Sequence, residues 1–160
     1  MTSPAIAAVT AAGLQHVVVT HGPVGSVVEA AAARGVAVPD VVKTIVVRRA
    51  EDDFIFVLVP GDRVIAWPKL RTLLGVSRLS LPNAAAAKAA TGYERGTITP
   101  FGSSTPLPVV ADVRLRGRRI SLGAGTHGAA VLVEADAAID ALQATVADVT
   151  DPEPQTTVDS

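Results

Sequence analysis

Apolar residues fall along this chain in two rhythms. Short runs rich in β-branched residues occupy 16–19, 42–49, 54–59, 64–66, 77–80, 108–111, 119–122, 128–133 and 145–149, and have the length and composition of strands. VVKTIVVRR and FIFVLVP are apolar on both alternating faces, as inner strands covered on both sides are, and Glu51-Asp52-Asp53 between them reads as the polar turn of a hairpin. The second rhythm is helical and well punctuated. Ser3-Pro4 supplies a cap and a first-turn proline for a helix that Gly13 closes, and Ser26-Val27-Val28-Glu29 is a capping box with Gly35 as the stop. Pro68 opens a short helix ending at Gly75, Asn83 caps an alanine-rich one ending at Gly92, and a last helix spans roughly 135–143, with Ile139 and Leu142 spaced to face the core. Helices and strands mix without strict βαβ alternation, which predicts one α/β (α+β mixed) domain on a curved mixed β-sheet.

Composition changes this picture at a few points. Of 160 residues 49% are hydrophobic and only 3% aromatic, so the core must be built from Val, Leu, Ile and Ala. The absence of cysteine excludes a disulfide framework, a thiolate metal site and a cysteine nucleophile. No Lys or Arg precedes the apolar segment AIAAVTAAGL, the first basic residue being Arg34, so a signal peptide is not expected. No apolar run approaches the roughly 20 residues that span a bilayer. The expectation is a cytoplasmic protein without a membrane partner. Residues 150–160 are proline-rich, acidic and almost free of apolar side chains, and are read as a disordered tail following a domain over 1–149.

The net charge of −1 gives no hint of nucleic-acid binding, and DNA is not an expected partner. Four acids follow Ala147, however, and without them 14 basic side chains face 11 acidic ones. Arg114, Arg116, Arg118 and Arg119 cluster closely, either as a solvated turn or as a phosphate-facing patch.

Lys43 sits in the apolar run VVKTIVV, its aliphatic stem able to pack beside Ile45 and Val47 while the ammonium must reach solvent, a carboxylate such as Asp112, or a bound phosphate. The stretch TGYERGTITPFG contains Gly92, Gly96 and Gly102, a stiffening Pro100 and the hydroxyls of Thr97 and Thr99. It is either a plain turn or a loop that aims backbone N–H groups at one oxygen, a device worth about 10²–10³ in rate per donor. SLGAGTHGAA is a second glycine cluster, a hairpin turn or a pocket wall, and its His127 is a solvated loop residue or a general base. No metal-ligand spacing, GxSxG, HExxH, Walker loop or GxGxxG accompanies these residues, so neither a metal nor a cofactor is expected and a hydrolase here would lack a conventional triad.

In order, EAAAARGV, VVKTIVV, FIFVLVPGDRVI, KLRTLLG, ATGYERGTITPFG, PVVAD and ISLGAGTHGAA resemble the YbaK/EbsC family of aminoacyl-tRNA deacylases, related to the editing domain of bacterial prolyl-tRNA synthetases, over about Gly22 to Val149. The resemblance implies a YbaK-like, barrel-like core surrounded by helices. It also implies hydrolysis of the ester that joins a wrong amino acid to the 3′ end of a tRNA. Lys43 would hold the terminal nucleotide through its phosphate, and Gly96, Thr97 and Pro100 would shape the water and carbonyl site. Thr44, Thr99, Phe101, Gly102, Asp112, Gly123, Gly125 and His127 would contribute to substrate binding. The terminal ribose hydroxyl would assist, so that no strong protein base is needed. The implied partners are the tRNA acceptor end and an aminoacyl-tRNA synthetase. Members associated with cysteinyl-tRNA usually carry a serine and an acidic residue where this chain has Gly123 and Ala130, which argues against cysteine and leaves alanine, serine or another small amino acid. A non-catalytic tRNA-binding or synthetase-associating module, and a hydrolase of small activated esters, are the rival expectations.

Overall fold

The computed structural model describes residues 3–154. Its helices are α1 (Pro4–Ala11), α2 (Val27–Arg34), α3 (Trp67–Leu74), α4 (Ala84–Thr91) and α5 (Ala135–Leu142). Its strands are β1 (His16–Thr20), β2 (Val42–Ala50), β3 (Asp53–Pro60), β4 (Arg63–Ile65), β5 (Val109–Asp112), β6 (Arg119–Gly123), β7 (Ala129–Glu134), β8 (Thr145–Ala147) and β9 (Thr150–Pro152). The capping signals act where the sequence places them. Ser3, Ser26 and Asn83 accept from the N–H groups of Ile6, Glu29 and Ala86, and Gly35, Gly75 and Gly92 close their helices in the left-handed conformation. The capping box is shifted by one residue, since Glu29 reaches back to the N–H of Gly25 rather than to that of Ser26.

β3 organises the core because it is buried on both faces. Phe56 and Leu58 point into one apolar cluster with Val42, Val46, Ile120, Leu122 and Val131, while Ile55, Val57 and Val59 point into another with Val47, Leu70 and Val110. Each such side chain contributes about 1.5–3 kcal/mol by leaving water. Antiparallel β2 and parallel β5 flank β3, and β8 adds in parallel to β5, giving a mixed sheet in the order β2-β3-β5-β8. A second, antiparallel sheet runs β1-β7-β6, and β4 pairs with β9.

Four expectations are corrected. Among the described residues the ladders do not close into a barrel, and the two larger sheets meet at a single parallel bridge, Val41 to Ser121. VVKTIVV is an edge strand, not an inner one, and Lys43, Thr44 and Ile45 are only half-buried. The 77–80 run makes only the bridge between Ser80 and Arg48. The supposed tail begins as strand β9, with Thr150 fully buried, because Thr150 is clamped by three partners: its Oγ1 donates to Asp112 (3.0 Å) and accepts from Arg63 Nε (2.7 Å) and Arg114 Nη1 (3.4 Å). The rest of that expectation, from residue 155 on, lies outside the described residues.

Candidate active site

The seam between the sheets creates the site. Beyond the Val41–Ser121 bridge, β2 and β6 run on in the same direction without further pairing, and a cleft of about 870 Å³ opens there. Val27, Ala30 and Arg34 of α2, the near end of β2 from Val42 to Val46, residues 81–84 with Ala87 of α4, the Arg95–Gly96 turn, Ile98 and Gly123 line it. Arg48 exchanges both backbone hydrogen bonds with Ser80 (2.7 and 3.1 Å), so its polar groups point away from β3. By strand alternation, those of Thr44 and Val46 do the same and meet the cleft along the free edge.

Charge in the cleft is of one sign. Lys43, Arg34 and Arg95 line it, and among the described residues no Asp, Glu or His does. Burial pushes the Lys43 ammonium below the usual lysine range, while the nearby Glu153 and Asp62 carboxylates pull it back up. The ammonium donates to the Arg63 carbonyl, which leaves two of its three N–H donors available. Arg34 donates from Nη1 to the buried Ser121 Oγ at 2.9 Å, and its Nε is buried without a partner. Burial likewise lowers the Arg34 pKa. Thr44 Oγ1, in the same lining, is also buried and without a partner among the described residues.

The glycine-rich loop is held rigidly against the cleft. Thr91 Oγ1 donates to Ala87 and accepts from the Tyr93 N–H, Tyr93 OH donates to the Phe101 carbonyl at 2.6 Å, and Thr97 Oγ1 donates to the Glu94 carbonyl. The two glycine clusters touch: Gly125 N–H donates to the Thr97 carbonyl at 3.1 Å, and a Cβ at Gly123 would sit 2.9 Å from the Ile98 carbonyl. A Cβ on Gly125 would lie 2.5 Å from the Tyr93 ring, so only glycine fits there.

Of the residues singled out in the sequence, Lys43, Thr44, Gly96 and Gly123 line the cleft directly. His127 stands exposed at the rim, 3.5 Å from Glu94, its ring near Gly96. The neighbouring Lys88, and after it His127, hold the Glu94 carboxyl below its ordinary range. Thr97, Thr99, Pro100 and Gly125 form the layer behind the surface, where they shape the loop rather than line the cleft. Phe101, Gly102 and Asp112 are placed elsewhere. Phe101 belongs to the core, and Gly102 packs so closely on α1 that a Cβ would meet the Pro4 carbonyl at 2.4 Å. Asp112 is fully buried, accepting from Val149 N–H, Thr150 Oγ1 and Arg114. It is linked to Lys43 indirectly, through Thr150 and Arg63. Arg34 and Arg95 went unnoticed in the sequence, although Arg34, at the last turn of a capped helix just before its glycine stop, carried a positional signal.

The chain belongs to the aminoacyl-tRNA editing domain family, whose model matches residues 21–141. Among solved structures it is similar to the hypothetical protein APE2540, at 27% identity and TM-score 0.85, over 93% of this chain and 100% of that one. It is also similar to a protein whose crystal structure is described as that of a candidate trans-editing enzyme for prolyl tRNA synthetase, at 26% identity and TM-score 0.82, over 94% and 99%. A search of curated protein sequences returned no match. No helix among the described residues is long and apolar enough to cross a membrane.

Proposed function

We propose that this protein is a trans-editing aminoacyl-tRNA deacylase that hydrolyses the ester of mischarged tRNA in the cytosol, with tRNAPro carrying a small wrong amino acid as its leading substrate. The observation that carries the reading is the cleft: three cations with no carboxylate among the described lining residues, beside a rigid glycine loop and a free strand edge. An anionic 3′ end fits that charge, and an activated ester needs orientation and oxyanion stabilisation more than a strong base. In this reading Lys43 and Arg34 hold the terminal phosphate, and outward N–H groups of Thr44 or Val46 receive charge developing on the ester carbonyl oxygen. Gly96 and Gly123 admit the substrate close to backbone, while Thr97 and Pro100 fix the loop. Water adds to the carbonyl carbon, the ribose oxygen leaves with a proton, and the vicinal ribose hydroxyl assists. The family and the relative linked by its description to prolyl tRNA synthetase support this choice of substrate, and a synthetase is a candidate partner.

One observation favours a second reading, a non-catalytic tRNA-binding module: among the described residues no Asp, Glu or His lines the cleft. Deacylation of Ala-, Ser- and Cys-tRNAPro, with cognate Pro-tRNAPro as control, separates the two. Selective loss of one mischarged species is expected, whereas tight binding without loss of any supports the module.

A further inference from the structure

A second hollow, of about 580 Å³, lies at the far end of β2 and is lined by Arg48, Arg49, Arg71 and Arg78 with the serines Ser77 and Ser80. We infer that it is a phosphodiester-binding site, taking the sugar–phosphate backbone of the RNA whose 3′ end lies in the cleft. This rests on the editing reading for the identity of the RNA.

The arginines meet there for a structural reason. Consecutive residues on a strand point to opposite faces, but the register of β2 slips between Arg48 and Ala50, and this bulge lets Arg48 and Arg49 border one hollow. Arg49 is committed to Asp53 through two bonds of 3.0 and 2.9 Å. Arg48 lies over the Phe54 ring, 5.5 Å from its centroid, with its Nε buried and unpartnered. Arg71 and Arg78 make no ion pair among the described residues. Among the described residues, Glu51 is the only carboxylate in the lining. Guanidinium groups brought into one concavity repel one another, and a bound anion relieves that repulsion. Planar forks beside hydroxyls suit phosphate oxygens.

Position selects the kind of anion. Residues 77–80 line this hollow and 81–84 line the cleft, so one segment borders both, with the Arg48–Ser80 bonds between them. Along β2, Lys43 and Arg48 are separated by about 17 Å at roughly 3.3 Å per residue. A stacked nucleic-acid strand advances roughly 3.4 Å per step, so the span corresponds to about five nucleotides, the distance from a single-stranded 3′ end into the first paired ones. An acidic protein segment would match the charge but has no such reason to continue from the cleft.

The test measures uncharged tRNA and a three-nucleotide CCA RNA binding to the parent, Arg71→Ala/Arg78→Ala and Arg71→Lys/Arg78→Lys proteins across a salt series. The alanine pair is expected to bind tRNA about 10-fold more weakly and to lower the slope of log affinity against log salt by about 2, while CCA binding is unchanged. The lysine pair, which keeps the charge, should recover most of the loss. Parental tRNA affinity and slope in a folded alanine pair overturn the inference. So does a parent without measurable tRNA affinity, or a loss confined to a polyglutamate probe. Because binding is read without hydrolysis, a parent that binds tRNA through these arginines yet cleaves no ester would contradict the editing reading and leave the phosphate site standing.

Discussion

Arg114, Arg116 and Arg118 are near neighbours in sequence, and each meets a carboxylate: Asp112 and Asp148, Asp136, and Asp40 respectively. Arg119 lies opposite Glu134 in the β6–β7 register. Lys43, Arg34 and Arg95 come instead from a strand, a helix and a loop, and none has a carboxylate within ion-pair distance among the described residues. Density of charge in a sequence is therefore a poor guide to its availability. The crowded arginines are spent on carboxylates, Arg114 tying Asp112 of β5 to Asp148 and Arg116 meeting Asp136 of α5, while the scattered cations are free to meet a ligand.

The contrast can be broken from either side. The largest expected effect on stability is in the paired region, where Asp112→Ala removes a buried acceptor from Arg114, Thr150 and Val149. It should cost about 3–5 kcal/mol in denaturant unfolding, and β9 should detach. In the cleft, Gly123→Ala forces a Cβ against the Ile98 carbonyl and should lower deacylation about 10- to 100-fold with a smaller change in melting temperature. Arg34→Ala should raise KM about 10-fold and kcat less, because it removes a donor from the proposed phosphate grip. It also leaves Ser121 Oγ without the Arg34 Nη1 donor.

A pH titration sharpens the same contrast. Arg114, followed by Lys69, lowers the Asp148 carboxyl from 3.8 to about 2. A depressed carboxylate contributes stability above its unfolded pKa and loses it as pH falls through the folded one. Unfolding followed by circular dichroism should therefore show parental stability falling between pH 4 and pH 2, with Asp148→Asn lacking that part of the slope. The effect should shrink in high salt because the pair is partly exposed. Smallest of all, Arg116→Ala removes an exposed pair and should change stability by less than about 0.5 kcal/mol and leave tRNA affinity unaltered.

What could be read from the chain in advance follows the range of the forces involved. Helix ends were legible because capping is local: Ser26, Asn83 and the closing glycines carry their signals within a few residues. The status of β2 was not, since an apolar pattern shows which faces are covered and says nothing of which edge is paired. Thr150 gave no local sign of burial; its partners Asp112 and Arg63 are distant in sequence, and proline and acid around it resemble a tail. The site divides in the same way. Lys43, Thr44, Gly96 and Gly123 stood in recognisable motifs and do meet in the cleft. Arg34 and Arg95 join them only through the three-dimensional path of α2 and the Gly92–Gly102 loop, whereas Phe101 and Gly102 share the motif but face the core and α1.

The most direct measurement is single-turnover deacylation of the mischarged tRNAPro that the parent clears, by Lys43→Ala protein whose thermal unfolding has been measured beside the parent's. A loss of at least about 10²-fold with an intact fold is the predicted result; parental rates from the folded variant would contradict the account.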